Sequence, residues 1–107
     1  MAFQALEIAI ELNRSLRQPL ETIARHDPSL ATQLRRAASS VPLNLAEARR
    51  RAGGDRLHQF RVAAGSADEV TACLRVAEAL GYVELNAVTD ALDRADRVRA
   101  IVWKLTH

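Results

Sequence analysis

Residues 85–105 read LNAVTDALDRADRVRAIVWKL. Apolar side chains fall at Leu85, Val88, Leu92, Ala95, Val98, Val102 and Leu105, with Arg99 beside Val98. They recur every three or four residues, the period that gathers them on one face of an α-helix. A rod with one apolar stripe is stable only if the stripe is buried, and the rest of the chain supplies three more such rods. Working backwards, a third stripe runs through Leu57, Phe60, Ala63, Ala64, Ala67, Val70, Thr71, Leu74, Ala77 and Leu80. A second runs through Leu30, Leu34, Ala37, Ala38, Val41, Leu45 and Ala48. The first holds Phe3, Leu6, Ala9, Ile10, Asn13, Leu16, Leu20 and Ile23. No stretch alternates strictly with period two, so no strand is expected.

The punctuation between stripes agrees. Asp27-Pro28 suits a helix start, Asp27 as N-cap and Pro28 in the first helical position. Gly53-Gly54-Asp55 separates the second and third stripes, and Asp55 is expected to cap the third helix. Gly81 is placed to end that helix before Tyr82 and Val83 lead into the fourth. Short connections make sequential helices antiparallel neighbours. The expected fold is all-α, an antiparallel up-down-up-down four-helix bundle forming one domain over residues 1–107. Pro19 and Pro42 interrupt the pattern, because proline lacks the backbone donor and crowds the carbonyl four residues back. Helix two is expected to bend at Pro42 rather than divide, with a serine hydroxyl taking up a freed backbone group.

A chain of 107 residues, 49% of them hydrophobic and 26% charged, is long and apolar enough for one core. One cysteine, Cys73, excludes an internal disulfide and a cysteine-built metal site. No apolar run is long enough to span a membrane. The opening MAFQALEIAIELNR carries Glu7 and Glu11 within its apolar stretch and does not read as a signal peptide. The expected location is cytoplasmic. Neither a glycine-rich phosphate loop nor a Ser/His/Asp pattern is present. Asp55-x-x-His58 is a single carboxylate–histidine pair where a di-metal bundle needs two and further glutamates. No catalytic residue, metal or cofactor is therefore expected.

Helix two carries a polar stripe, Gln33, Arg36, Ser40, Asn44 and Glu47, beside its apolar one. Helix three offers Arg61, Gly65, Asp68, Glu69 and Thr71. With the turn centred near residue 53, Ser40 falls level with Ser66, Asn44 with Val62, and Arg36 beside Glu69. Ser40, Asn44, Glu47, Ser66 and Glu69 are accordingly expected to form a structural polar seam. Gly65 in mid-helix costs about 1 kcal/mol relative to alanine, which points to another backbone passing close by.

Charge is uneven. Residues 33–61 hold seven arginines (Arg35, Arg36, Arg49, Arg50, Arg51, Arg56 and Arg61) against Glu47 and Asp55, a net +5. The remainder holds eight bases and eleven acids, a net −3. The guanidinium fork matches phosphate oxygens, so these seven are the candidate nucleic-acid-binding residues, and RNA or DNA is the candidate partner. The competing interpretation is structural, since cations also stabilise a helix C-terminus by ~0.3–1 kcal/mol each. Trp103 is placed either in the core or at a subunit contact.

The run Gln33-Leu34-Arg35-Arg36-Ala37-Ala38-Ser39-Ser40-Val41-Pro42-Leu43-Asn44-Leu45-Ala46-Glu47 resembles a motif of the bacterial four-helix bundle proteins encoded in intervening sequences of 23S rRNA genes. Ala64-Gly65-Ser66-Ala67-Asp68-Glu69-Val70 resembles that family's second motif, and Gly81-Tyr82 its glycine-tyrosine before the last helix. The chain departs from the family in having Ala48 where glycine is usual. The resemblance implies an up-down bundle that assembles as a homopentamer. It also implies kinship in fold with the accessory variability proteins, nucleic-acid-binding subunits of retroelement reverse transcriptases. No enzymatic activity is established for the family. Two functions are thus expected to compete: an oligomeric scaffold holding RNA or DNA at an arginine-rich pole, and a protein-interaction or structural module without nucleic acid.

Overall fold

A computed structural model of the chain describes residues 2–107, with side chains from Gln4 onward; Phe3 of the first stripe lies outside the described side chains. The protein is all-helical. Its elements are α1 (Ala2–Ser15), α2 (Arg17–His26), α3 (Pro28–Arg50), α4 (Gly53–Ala79) and α5 (Leu85–Thr106). There are thus five helices among the described residues where the sequence reading expects four. The first stripe is divided, and Pro19 is the reason. In a continuous helix its ring would crowd the carbonyl of Ser15, four residues back, and it brings no N–H to that carbonyl. The chain leaves α-geometry at Leu16 (φ −95°, ψ −1°), whose N–H bonds to the Asn13 carbonyl at 3.2 Å, and the ladder resumes with Leu20 N–H to Leu16 at 2.9 Å. Leu16 is 0% exposed, so the break itself is anchored in the core.

Pro42 has a different outcome. Helix α3 runs through it unbroken. The carbonyl that Pro42 deprives of its donor is that of Ala38, and Asn13 Nδ2 of α1 donates to it at 2.9 Å. The same amide group also donates to the Ala9 carbonyl at 2.9 Å. Asn13 thus sits among apolar neighbours because it completes the neighbouring helix, and it replaces the serine hydroxyl expected in that role.

Of the three helix ends read from the sequence, two follow the expected capping chemistry and one does not. Asp27 accepts from Leu30 N–H at 3.0 Å with Pro28 in the first position of α3. Gly81 (φ +78°) closes α4: its N–H reaches the Glu78 carbonyl at 3.0 Å, and Tyr82 N–H reaches Ala77 at 2.9 Å. This paired closure requires a left-handed residue, which glycine supplies without strain. Asp55 does not cap α4. The helix begins earlier, at Gly53 (φ +59°), with Ala52 before it and no side-chain cap. Asp55 instead lies in the first turn, where its charge complements the helix dipole.

Helix α3 packs along α4, α4 along α5, and α1 against both α3 and α5, while α2 lies on α3. Two polar links between helices show that each linked pair doubles back. Ser40 of α3 meets Ser66 of α4, and Asp68 of α4 meets Arg99 of α5. Leu12, Leu16, Ile23, Leu34, Val41, Leu45, Val70, Leu74, Val88, Val98 and Val102 are fully buried between the helices. Each such side chain contributes roughly 1.5–3 kcal/mol relative to exposure. The molecule is 42 Å long, about the length of α4 at 1.5 Å per residue. No helix among the described residues is long and apolar enough to cross a membrane.

Candidate nucleic-acid interface and polar seam

Between α3 and α4 lie only two residues, Arg51 and Ala52. Arg49 and Arg50 occupy the last turn of α3, Arg51 follows as its cap, and Arg56 stands in the first turns of α4. These four arginines are exposed and gathered at one end of the molecule. Arg51 shares its guanidinium with Glu47, Nε at 2.9 Å and Nη2 at 2.8 Å from one carboxylate oxygen. Arg56 lies over the Phe60 ring, 5.8 Å from its centre, a cation–π contact that leaves the charge in place. Arg50 makes no ion pair among the described residues.

The other three candidates stand apart. Arg61 lies eight residues into α4, about 12 Å from its start, and Arg35 and Arg36 lie about 20 Å back along α3. All three are exposed, and none makes an ion pair among the described residues. Arg36 and Glu69, expected at one level, form no ion pair among the described residues.

The seam is narrower than expected. Ser40 Oγ and Ser66 Oγ are 2.8 Å apart, and Asn44 Nδ2 donates to Ser40 Oγ and to the Ser40 carbonyl, both at 2.8 Å. These three residues form the link across α3 and α4, and all are half-buried. Glu47 is drawn to Arg51 on its own helix, one turn on, so it belongs to the pole and not to the seam. Glu69 is exposed. Gly65 does not admit a neighbouring backbone: no atom lies within 4 Å of where a Cβ would stand. Burial first, then the carboxylate of Glu69, raise the Cys73 thiol above its ordinary 9.0. The folded state therefore holds that proton more firmly, and its contribution to stability is present below 9.0 and is lost as pH rises through the raised value.

Helix α5 shows the opposite use of arginine. Arg99 reaches Asp68 on α4 at 2.6 Å and also Asp96 one turn back, and Arg94 pairs with Asp90. The alternation of Asp and Arg every three or four residues in 90–99 is the sequence signal for the pairs within α5. Trp103 is 61% exposed and stacks on His107. Among the described residues no group of three His, Cys, Asp or Glu stands close enough to hold a metal.

No curated protein matches this chain. Among solved structures it is similar to a Bacteroides thetaiotaomicron protein of unknown function from the S23 ribosomal protein family. That likeness has a TM-score of 0.86 at 12% identity, covering 95% of this chain and 97% of the other; it is one of fold. The sequence profile described as 23S rRNA-intervening sequence protein matches residues 2–104. The helix-two and helix-three motifs, the glycine-tyrosine closure of α4 and this end-to-end match place the chain in the 23S rRNA-intervening sequence protein family.

Proposed function

We propose that this protein is a non-enzymatic, cytoplasmic scaffold whose basic end holds RNA or DNA by its phosphates. In this reading α1 and α2 act as one broken rod, so that five helices serve as an antiparallel four-rod bundle. The contacts of α1 and α2 with the same partner, α3, support it. The observation that carries the functional reading is the crowding of Arg49, Arg50, Arg51 and Arg56 into eight positions across a two-residue connection. Only two carboxylates, Glu47 and Asp55, lie within or beside that run. Such a site reads charge and phosphate spacing, so its binding falls steeply with salt and depends little on base sequence.

The scaffold is a homo-oligomer in this proposal, a pentamer by family resemblance. Exposed Leu43 at 68%, together with Val76, Leu80 and Leu85, supplies apolar surface for subunit contacts. Several copies would multiply the basic ends and add avidity. The same apolar surface favours the second reading, a protein-interaction module without nucleic acid. Binding of a structured RNA to the protein and to its Arg49→Ala, Arg50→Ala, Arg51→Ala triple variant separates the two. The nucleic-acid reading expects a loss of about tenfold or more at low salt; an unchanged affinity contradicts it.

A further inference from the structure

Beside the basic end, α4 and α5 leave a groove of about 340 Å³. Gly65 lines it beside Ala64 and Val102, and no atom lies within 4 Å of where a Cβ on Gly65 would stand. Trp103 and His107 stand on one side, ring centres 3.4 Å apart and planes within 20° of parallel. Arg61 stands on the α4 side, exposed and without an ion pair among the described residues. Asp68 and Arg99 close the far end as a pair at 2.6 Å. A flat aromatic surface, a free guanidinium and a carboxylate acceptor around a groove left open over Gly65 together match the chemistry of one unstacked nucleobase.

We infer that this groove is a subsite for a single unpaired base of a strand whose phosphates lie on the arginine-rich end. The inference rests on the nucleic-acid reading above and adds to it a preference for unpaired over duplex nucleic acid. The base stacks on the Trp103 and His107 side, as exposed aromatics accept any base by its π-face. Arg61 holds the phosphate that leads from the groove toward Arg56, five residues nearer the start of α4. The mid-helix glycine is thereby explained: any side chain at position 65 would occupy the slot.

Trp103 is the chain's one tryptophan, so its emission reports directly on the groove. The experiment titrates the full chain with a short oligoadenylate and with a blunt RNA duplex of matched charge, following both affinity and tryptophan emission. The expected result is quenching by the single strand and none by the duplex. Gly65→Leu, which fills the slot without pressing on the core, and Trp103→Leu should each weaken single-strand binding at least about fivefold and leave duplex binding unchanged. If the single strand binds without changing emission, and G65L and W103L bind it as the wild type does, the groove proposal falls and the basic end stands. If neither nucleic acid binds, both fall. If G65L instead lowers the mass measured by light scattering, and emission changes on dilution without RNA, the groove is a contact between copies and the proposal is overturned.

Discussion

Between Ala38 and Asn44, α3 hands its polar groups to partners inside the molecule: the Ala38 carbonyl to Asn13, the Ser40 hydroxyl to Ser66 and Asn44. From Arg49 to Arg51 the same helix ends in three consecutive exposed cations with one carboxylate, Glu47, reaching back to them. A half-buried polar group left without a partner costs free energy, so the sequence of the middle is constrained by the fold. An exposed arginine costs the fold almost nothing in either state. The contrast separates residues that the fold constrains from residues whose exposure leaves the fold nearly indifferent to them. The two regions should therefore respond separately to mutation, stability moving with the middle and binding with the end.

The largest expected loss of stability is at Asn13. Replacing it with alanine strands the Ala38 carbonyl, at a cost of about 1–3 kcal/mol in chemical denaturation. Adding Pro42→Ala should recover much of that loss, because the helix then supplies its own donor. RNA affinity should stay within about twofold throughout, because no phosphate contact is altered; a large change would break the separation of the two regions. A smaller effect is expected for Ser40→Ala, about 0.5–1.5 kcal/mol. A double-mutant cycle with Ser66→Ala should show that the two losses are not additive, since each removes the same contact. Smallest in stability is Glu47→Gln, under about 0.5 kcal/mol for an exposed pair one turn apart. It frees Arg51, so RNA binding should tighten about two- to threefold at low salt. Weakened binding in that variant would show that Glu47 positions Arg51 for its partner rather than competing for it.

The period of the apolar residues reveals where helices run, because burial of one stripe is a property of sequence spacing alone. The Ser40–Ser66 meeting was legible too, since a tight turn near residue 53 sets the register of everything equally far from it. Asp27 and Gly81 followed from local capping geometry. Pro19 and Pro42 show where local reading stops. Both carry the same chemistry, yet one divides a helix and the other does not, and the difference is a side chain 25 residues away, Asn13, reaching the orphaned carbonyl. Among apolar residues at helical spacing, nothing local marks that asparagine as a donor to another helix.

The basic end was legible as a run of arginines. Its membership was only partly so. Arg35 and Arg36 fall within the same positive stretch of sequence but stand about 20 Å away along the helix. Glu47 has the spacing of the seam and also stands one turn from Arg51, and in the structure it takes the nearer cation. Gly65 had the sequence signature of a close approach, and the structure gives it an open groove instead. In each case the sequence fixes the type of group available, and the competition between partners in three dimensions decides which contact forms.

The most direct test of the central claim is the salt dependence of RNA binding. A plot of log affinity against log salt for the wild type should fall steeply and linearly, and the Arg49→Ala, Arg50→Ala, Arg51→Ala variant should lose about two to three units of slope. Asn13→Ala, measured at a temperature where it remains folded, should keep the wild-type slope. Equal slopes for the wild type and the arginine variant would contradict the assignment of the α3–α4 end as the phosphate-binding surface.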